Sequence, residues 1–176
     1  MRPVRLYIAA SLDGYIARED DGLDWLPQPD DQADDLGYGE LLQQTDGLLM
    51  GRRTYDVIRQ LGPWPYGGLP KYVFSRGTRP VEVYSPSTVV LTESPAEAVA
   101  RLRAGTGLGF FLLGWGQLIQ ALHQADLIDD YHVALVPCLL GGGLPLFPAL
   151  GRQQNLRLTG QRSSPNGLVL LSYARA

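Results

Sequence analysis

Cysteine and histidine are scarce in this sequence, and their scarcity excludes several kinds of site. The single cysteine, Cys138, rules out a disulfide within the chain, and its apolar neighbours predict a buried structural thiol. The two histidines, His123 and His132, have no matching group of metal ligands around them, and no His-x-Glu sequence occurs. A zinc deaminase centre is therefore excluded, and we expect no bound metal.

Long apolar runs and an excess of positive charge are also missing. No run approaches the roughly 18–20 apolar residues that a membrane helix needs, and no cleavage site follows the N-terminal apolar segment. The net charge of −3 argues against sequence-independent binding to nucleic acid. We therefore expect a cytoplasmic, soluble protein that binds neither membranes nor nucleic acid, and any anionic ligand must be held by a local basic cluster.

Strand-like and helix-like patterns alternate along the 176 residues. Apolar runs predict strands at 4–10, 15–17, 47–50, 71–75, 81–84, 89–92, 110–113 and 131–137. Helical patterns occupy the intervals, one opening at the acidic residues of 30–35, and residues 94–97 form a capping box. A hairpin at 156–161 and 168–174 closes the chain. The pattern predicts one α/β domain over 1–176, with a mostly parallel sheet and an antiparallel edge.

The most informative stretch is the strand, glycine turn and helix start at 110–122. A charge-free apolar run is followed at once by Gly114 and Gly116, and apolar residues then recur at helical spacing. Such a turn exposes backbone N–H groups at a helix N-terminus, where a diphosphate can bind. A tight turn without any ligand explains the same pattern equally well.

A basic cluster stands at a similar position earlier in the chain. Arg52 and Arg53, with Gly51 before them and Thr54 after them, follow a strand and begin a helix, where the helix dipole disfavours cations. A phosphate bound by the arginines would resolve that conflict. Alternatively, the arginines point into solvent or pair with Asp46 or Asp56.

Ser75 and Arg76 repeat this arrangement more weakly after the next strand. Open α/β sheets bind ligands at the carboxyl ends of their strands. Three such ends carrying glycine, arginine, serine and threonine indicate one extended polyanionic ligand, although Arg76 by itself is typical of a solvated surface residue.

Four motifs in register resemble the dihydrofolate-reductase-like superfamily. They are Ser11-Leu12-Asp13-Gly14-Tyr15-Ile16-Ala17, Met50-Gly51-Arg52-Arg53-Thr54-Tyr55, Leu113-Gly114-Trp115-Gly116, and Val133-Ala134-Leu135-Val136-Pro137 followed by three glycines at 141–143. The resemblance covers nearly the whole chain. It is strongest to the branch that contains the riboflavin-biosynthesis reductase domain and stand-alone reductases.

The resemblance implies a central sheet flanked by helices and NADPH as hydride donor to a small-molecule substrate. The positions that it assigns to the cofactor are Ala10 and Ile16 beside the nicotinamide; Gly51, Arg52, Arg53 and Thr54 at the adenosine phosphates, including the 2′-phosphate; Ser75 and Arg76 at the adenosine end; and Leu113, Gly114, Trp115, Gly116, Gln117 and Leu118 around the diphosphate.

The sequence departs from the family pattern in two places. Trp115 stands where the family usually has a second glycine, so its ring either narrows the diphosphate site or turns outward. The Asp-Asp-Pro motif that holds the ribose phosphate of the riboflavin precursor is missing after the second main strand, which disfavours that substrate. Folate reductases also place a carboxylate on the first helix, and Asp34 and Asp35 are the candidates for it.

These observations favour an NADPH-dependent reductase of a small heterocyclic or carbonyl substrate. Two alternatives stay open. One is the riboflavin-pathway 5-amino-6-(5-phosphoribosylamino)uracil reductase itself. The other is a degenerate, non-catalytic nucleotide-binding or dimeric protein, which the tryptophan at position 115 suggests. We also expect a homodimer, formed through the apolar stretch 133–140 and the glycines after it as a self-complementary edge.

Overall fold

The computed structural model describes residues 1–27, 35–60, 62–77, 80–83, 85–114, 116–147, 151 and 153–176. The strands are β1 (Val4–Ser11), β2 (Tyr15–Ala17), β3 (Gly47–Gly51), β4 (Lys71–Phe74), β5 (Thr88–Leu91), β6 (Phe110–Leu113), β7 (Asp130–Val136), β8 (Leu144–Pro145), β9 (Leu156–Ser163) and β10 (Val169–Arg175). The helices are α1 (Tyr38–Gln43), α2 (Arg52–Gln60), α3 (Pro95–Arg103) and α4 (Gln117–Gln124).

Eight of the strands form one mixed sheet in the order β5-β4-β3-β6-β1-β7-β10-β9. The first six of these are parallel to their neighbours, and β10 and β9 add an antiparallel hairpin at one side. Strands β2 and β8 pair separately. The mostly parallel α/β fold predicted from the sequence is confirmed. Because the six strands run the same way, their carboxyl ends lie along one side of the sheet, which we call the carboxyl edge.

Both faces of the central strands are covered, which explains their continuous apolar sequences. All four residues of β6 are buried, and so are the first four of β3. Leu49 and Leu112 pack on one face with α3 and α4, whereas Met50 and Phe111 belong to the cluster on the face of α1 and α2. Strands buried on both faces carry apolar runs rather than an alternating pattern.

The capping box before α3 forms, with one difference from the expected pattern. The Ser94 hydroxyl accepts a hydrogen bond from the backbone N–H of Glu97 at 3.3 Å, and Pro95 occupies the first helical position. The Glu97 carboxylate accepts from the Ser94 hydroxyl at 2.8 Å, where the sequence pattern predicted a bond to the backbone N–H of Ser94.

The first helix begins later than the acidic residues predicted. Leu36 and Gly37 have φ values of 52° and 83°, a left-handed conformation that a right-handed helix cannot contain. Helix α1 therefore begins at Tyr38, and Asp30, Asp31 and Asp34 lie outside the described residues.

The strand predicted at 81–84 does not form within its described part, 81–83. Strand β4 pairs instead with β5, which leaves the segment before β5 without a neighbouring strand to bond.

Two expectations about residues 133–140 are wrong. Strand β7 pairs with β1 on one side and β10 on the other, so its hydrogen-bonding groups are used within the chain and it cannot serve as a dimer edge. Cys138 is half-buried rather than buried, because the chain leaves the sheet after Val136. Within the described residues, no helix has the length and apolar character needed to cross a membrane.

Candidate functional site at the carboxyl edge

Three of the predicted ligand-binding segments follow neighbouring strands and so lie side by side. Gly51 is opposite Phe74 of β4, and Met50 is opposite Leu113 of β6. The segments after β4, β3 and β6 therefore leave the sheet next to one another. This register places the three strand ends on one surface of the sheet.

The turn after β6 packs closely against the start of α2. Gly114 has a φ of 102°, and a Cβ placed on it would lie 2.2 Å from the Thr54 hydroxyl oxygen. Thr54 itself is buried. Only glycine combines this backbone conformation with this approach, so the glycine turn and the arginine-bearing helix meet because position 114 has no side chain.

Two helix N-termini are directed toward the carboxyl edge. Helix α2 begins with Arg52 immediately after β3, and α4 begins with Gln117 after Gly116, which has no side chain to cap the helix. Among the described residues, nothing lies within 4 Å of a Cβ built at Gly51 or Gly116, so there is open space beside both. Backbone N–H groups at helix N-termini beside open space suit an anionic ligand.

The two arginines differ in exposure and in partners. Arg52 pairs through Nε with Asp56 at 3.3 Å and donates from Nη2 to the Pro80 carbonyl at 3.0 Å. This is one of the two pairings that the sequence allowed, whereas Asp46 pairs with a different arginine, Arg2. Arg53 pairs with Asp21, yet 65% of its side chain is exposed. Arg53 therefore projects from the first turn of α2 where a phosphate can reach it.

The remaining predicted positions on this side separate into buried side chains and exposed ones. Ser75 is buried, and its backbone N–H donates to Leu91 O at 2.9 Å, whereas Arg76 is exposed. The side chains of Leu113 and Leu118 lie in the core, so only their backbone atoms can contribute to a ligand site. Gln117 is exposed at the first position of α4.

The predicted nicotinamide positions lie in an apolar cluster at the end of β1. Ala10 and Ile16 are 1% and 4% exposed and pack with Leu146 of the segment after β8. The chain from 136 to 146 closes over this cluster, since the Leu146 N–H donates to the Gly14 carbonyl at 2.9 Å. This part of the edge is therefore a buried apolar cluster.

Asp13 holds the 136–146 segment in this position through hydrogen bonds, a role that the sequence analysis missed. Its carboxylate accepts hydrogen bonds from the Ser11 hydroxyl at 2.5 Å and from the backbone N–H groups of Leu140 and Gly141 at 3.1 and 2.8 Å. The Ser11 hydroxyl first, and these N–H groups with it, hold the pKa of Asp13 below its usual range. The dipeptide Asp13-Gly14 after a strand predicts a turn. Nothing in the local sequence predicts that its carboxylate binds residues about 127 positions later.

Replacing Asp13 with asparagine should loosen this closure without unfolding the protein. The amide loses the anionic charge that strengthens both bonds to the loop, so we expect faster hydrogen exchange at the Leu140 and Gly141 amides. In the native chain, the protection factors of the same two amides, which correct for the slower intrinsic exchange at acid pH, should also fall as the pH is lowered. A carboxyl whose folded pKa is lowered stabilises its bonds above its unfolded pKa, and that contribution disappears as pH falls through the folded pKa.

Hydrogen exchange followed by mass spectrometry checks this expectation, with Asp20→Asn as the matched control. Asp20 also accepts a backbone hydrogen bond, from Gly22 at 3.0 Å, and among the described residues its carboxylate accepts none from the 138–143 segment. Unchanged protection of Leu140 and Gly141 in Asp13→Asn would show that the carboxylate does not hold the segment.

Of the two candidates for the catalytic acid, Asp34 and Asp35, the structure describes Asp35 alone. The Asp35 carboxylate accepts hydrogen bonds from the N–H groups of Gly39 and Gly37, both at 2.8 Å, and these bonds hold its pKa below the usual range. A carboxyl that stays ionised is a poor proton donor near neutral pH. Asp34 lies outside the described residues, and so does Trp115.

The fold and this edge define a class: an α/β domain of the dihydrofolate-reductase-like type with a glycine turn and an arginine-bearing helix start at neighbouring strand ends. The chain belongs to the RibD C-terminal domain family, whose model matches residues 2–170.

Relatives and solved structures agree with this assignment. YwjB, an uncharacterized protein of Bacillus subtilis (strain 168), is 36% identical over 177 residues and covers 99% of both chains. The crystal structure of a putative riboflavin biosynthesis protein from Shewanella sp. PV-4 has a TM-score of 0.87 and 32% identity, with 99% of each chain covered.

A more distant structure shows the same fold within a longer protein. The diaminohydroxyphosphoribosylaminopyrimidine deaminase/5-amino-6-(5-phosphoribosylamino)uracil reductase of Thermotoga maritima has a TM-score of 0.70 at 14% identity. That match covers 99% of the present chain and 57% of the longer one.

Proposed function

We propose that this protein is an NADPH-dependent reductase that transfers a hydride to a small heterocyclic or carbonyl substrate. The observation that carries the proposal is the contact between Gly114 and Thr54, which joins the glycine turn before α4 to the arginine-bearing start of α2. The joined surface offers two helix N-termini and the Arg53 guanidinium to one extended anion. Membership of the RibD C-terminal domain family supports the same reaction class.

The residues at the carboxyl edge fit a phosphorylated nicotinamide cofactor. Arg52 and Arg53 would bind the adenosine phosphates, including the 2′-phosphate, and the backbone around Gly114 and Gly116 would hold the diphosphate. Ser75 and Arg76 would flank the adenosine end. When bound, the cofactor supplies the hydride.

The chain itself would contribute to the reaction by positioning the cofactor and by excluding water from the nicotinamide. The buried apolar cluster that contains Ala10 and Ile16 would exclude water beside the nicotinamide, and the Asp13 bonds hold the covering segment in place. The proton donor is assigned to neither candidate, since Asp35 is held ionised and Asp34 lies outside the described residues.

Family membership favours one particular substrate as a second candidate, the riboflavin-pathway 5-amino-6-(5-phosphoribosylamino)uracil. The sequence disfavours it, because residues 55–61 lack the Asp-Asp-Pro pattern that would hold its ribose phosphate. The two candidates therefore differ in whether the substrate must carry a phosphate.

The test is NADPH oxidation, followed by its absorbance, with the riboflavin precursor in one series and unphosphorylated dihydropterins, aldehydes and ketones in another. Turnover of an unphosphorylated compound supports the proposal. Turnover of the precursor alone would establish the second candidate. NADPH affinity without any oxidation across both series would instead show the non-catalytic protein that the sequence left open.

A further inference from the structure

A pocket lies beside the start of β4, at the end of that strand opposite the carboxyl edge. It has a volume of about 430 Å³, and its walls include Tyr55, Arg59, Trp64, Lys71 and Ser85. Lys71 is the first residue of β4, and Arg59 lies in the last turn of α2. The lining also includes Tyr55, the residue after Thr54, so the pocket extends along α2, whereas Lys71 stands at the end of β4 away from the carboxyl edge.

The pocket contains a buried ammonium group. Lys71 is 2% exposed, and its Nζ donates to the Leu69 carbonyl at 3.1 Å and to the Ser87 hydroxyl at 2.8 Å. Both acceptors are neutral, and none of the ion pairs among the described residues includes Lys71. Burial accordingly lowers the pKa of Lys71. A buried charge without a counter-ion is costly, so an anion that entered the pocket would relieve that cost.

The second cation at the pocket is already paired on its solvent side. Arg59 forms an ion pair with Glu82 at 3.0 Å, and 65% of the Glu82 side chain is exposed. Two cations therefore lie at the pocket, with one carboxylate outside it. With Arg59 paired to Glu82, the Lys71 ammonium is the cation on the pocket wall whose hydrogen-bond acceptors, among the described residues, are both neutral, and a carboxylate suits it.

The other wall of the pocket is aromatic. The rings of Tyr55 and Trp64 are 5.7 Å apart and tilted by 49°, and the Lys71 ammonium lies 5.1 Å from the centre of the Trp64 ring. Next to them, Ser85 and Ser87 share a hydroxyl hydrogen bond of 2.8 Å that leads to Lys71. The pocket thus combines a flat apolar surface with a cationic, hydroxyl-lined end.

We propose that this pocket binds a planar aromatic monocarboxylate. The carboxylate pairs with Lys71 beside the serine hydroxyls, and the ring packs against Trp64. The volume of about 430 Å³ falls within the ordinary range for small-molecule sites, and it suits a ligand of one or two fused rings. This binding is separate from the proposed reductase chemistry, since the pocket contains none of the residues assigned to the cofactor.

Isothermal titration calorimetry of the full chain with benzoate and 2-naphthoate tests the proposal. The neutral benzamide and 2-naphthamide serve as ligand controls of the same shape. We expect the carboxylates to bind at least about tenfold more tightly than the amides, because a charge-assisted bond to a buried ammonium discriminates strongly between them. Lys71→Met keeps the apolar stem, removes the charge and should weaken carboxylate binding by about tenfold or more.

Two further variants keep the result interpretable. Trp64→Leu should weaken 2-naphthoate more than benzoate, and it tests the pocket even if Lys71→Met fails to fold. Arg157→Gln, at an exposed position of the outermost strand β9, should leave both affinities unchanged. Equal benzoate affinity in Lys71→Met and the native chain would overturn the proposal, as would equal affinity for benzoate and benzamide, or no binding of either carboxylate at millimolar concentration.

Discussion

Replacing Arg52 and Arg53 together with alanine should weaken NADPH binding at least about 100-fold. Each arginine is expected to make a charge-assisted hydrogen bond to phosphate, and such a bond contributes roughly 1.5–3 kcal/mol, so losing two of them costs two decades of affinity or more. NADH should lose less affinity than NADPH, because it lacks the 2′-phosphate that the arginines would bind. Calorimetric titration of each variant with both cofactors measures the two losses.

The fold should survive this double substitution, so the loss can be attributed to the site. Alanine is a good helix former, and the partners left behind, Asp56 and Asp21, have partly exposed side chains, for which an ion pair contributes little stability. Arg157→Ala on β9 is the matched control for removing an exposed guanidinium. NADPH affinity that is the same in the double variant and the native chain would count decisively against the assigned site.

Replacing Gly114 with alanine should destabilise the protein more than the same substitution at Gly51 or Gly116. The backbone there has a φ of 102°, and the added Cβ would lie 2.2 Å from the Thr54 oxygen and 3.0 Å from the Thr54 Cβ. A left-handed conformation and a forced displacement of a buried neighbour together cost roughly 2–4 kcal/mol. For a chain of this size we expect the melting temperature to fall by about 4–15 °C.

Gly51→Ala provides the matched control for stability. Gly51 also ends a central strand at the same edge, but its Cβ would enter open space. Its melting temperature should stay near that of the native chain, whereas Thr54→Ala combined with Gly114→Ala should recover part of the loss by removing the nearest atom. Equal melting temperatures for Gly114→Ala and the native chain would show that the turn after β6 does not pack against the start of α2 as described.

Much of the fold was predictable because local patterns determine it. The apolar runs of β3 and β6 have no polar residue to place in solvent, so only a sheet covered on both faces accommodates them. The Ser94 and Pro95 signal before α3 depends on neighbouring residues alone and formed as expected at the serine. The adjacency of the three strand ends then follows from the parallel order of the sheet.

The parts that the sequence did not reveal depend on contacts between distant residues. Asp21 pairs with Arg53, and Asp13 binds a segment about 127 residues away, and no local spacing signals either contact. The late start of α1 results from left-handed residues at 36 and 37, one of them a leucine, which propensity does not favour there. The buried position of Lys71 is likewise unexpected, since lysine at the start of a strand is normally solvated.

The wrong prediction of a dimer edge at 133–140 also arose because the outcome depends on pairing between distant segments. An apolar stretch at 133–140 is compatible with an edge strand or with a central one, and only the pairing of β10 against β7 decides between them. The expectation of a homodimer therefore has no support from this stretch, and the exposed edges of the sheet are β5 and β9.

The measurement that tests the central claim most directly is a calorimetric titration of the intact chain with NADPH and, separately, with NADH. A phosphate-binding edge built from Arg52, Arg53 and the glycine turn before α4 should bind NADPH tightly and NADH weakly. Failure to bind either cofactor would contradict the account, because the glycine turn and the arginines would then meet without forming a nucleotide site.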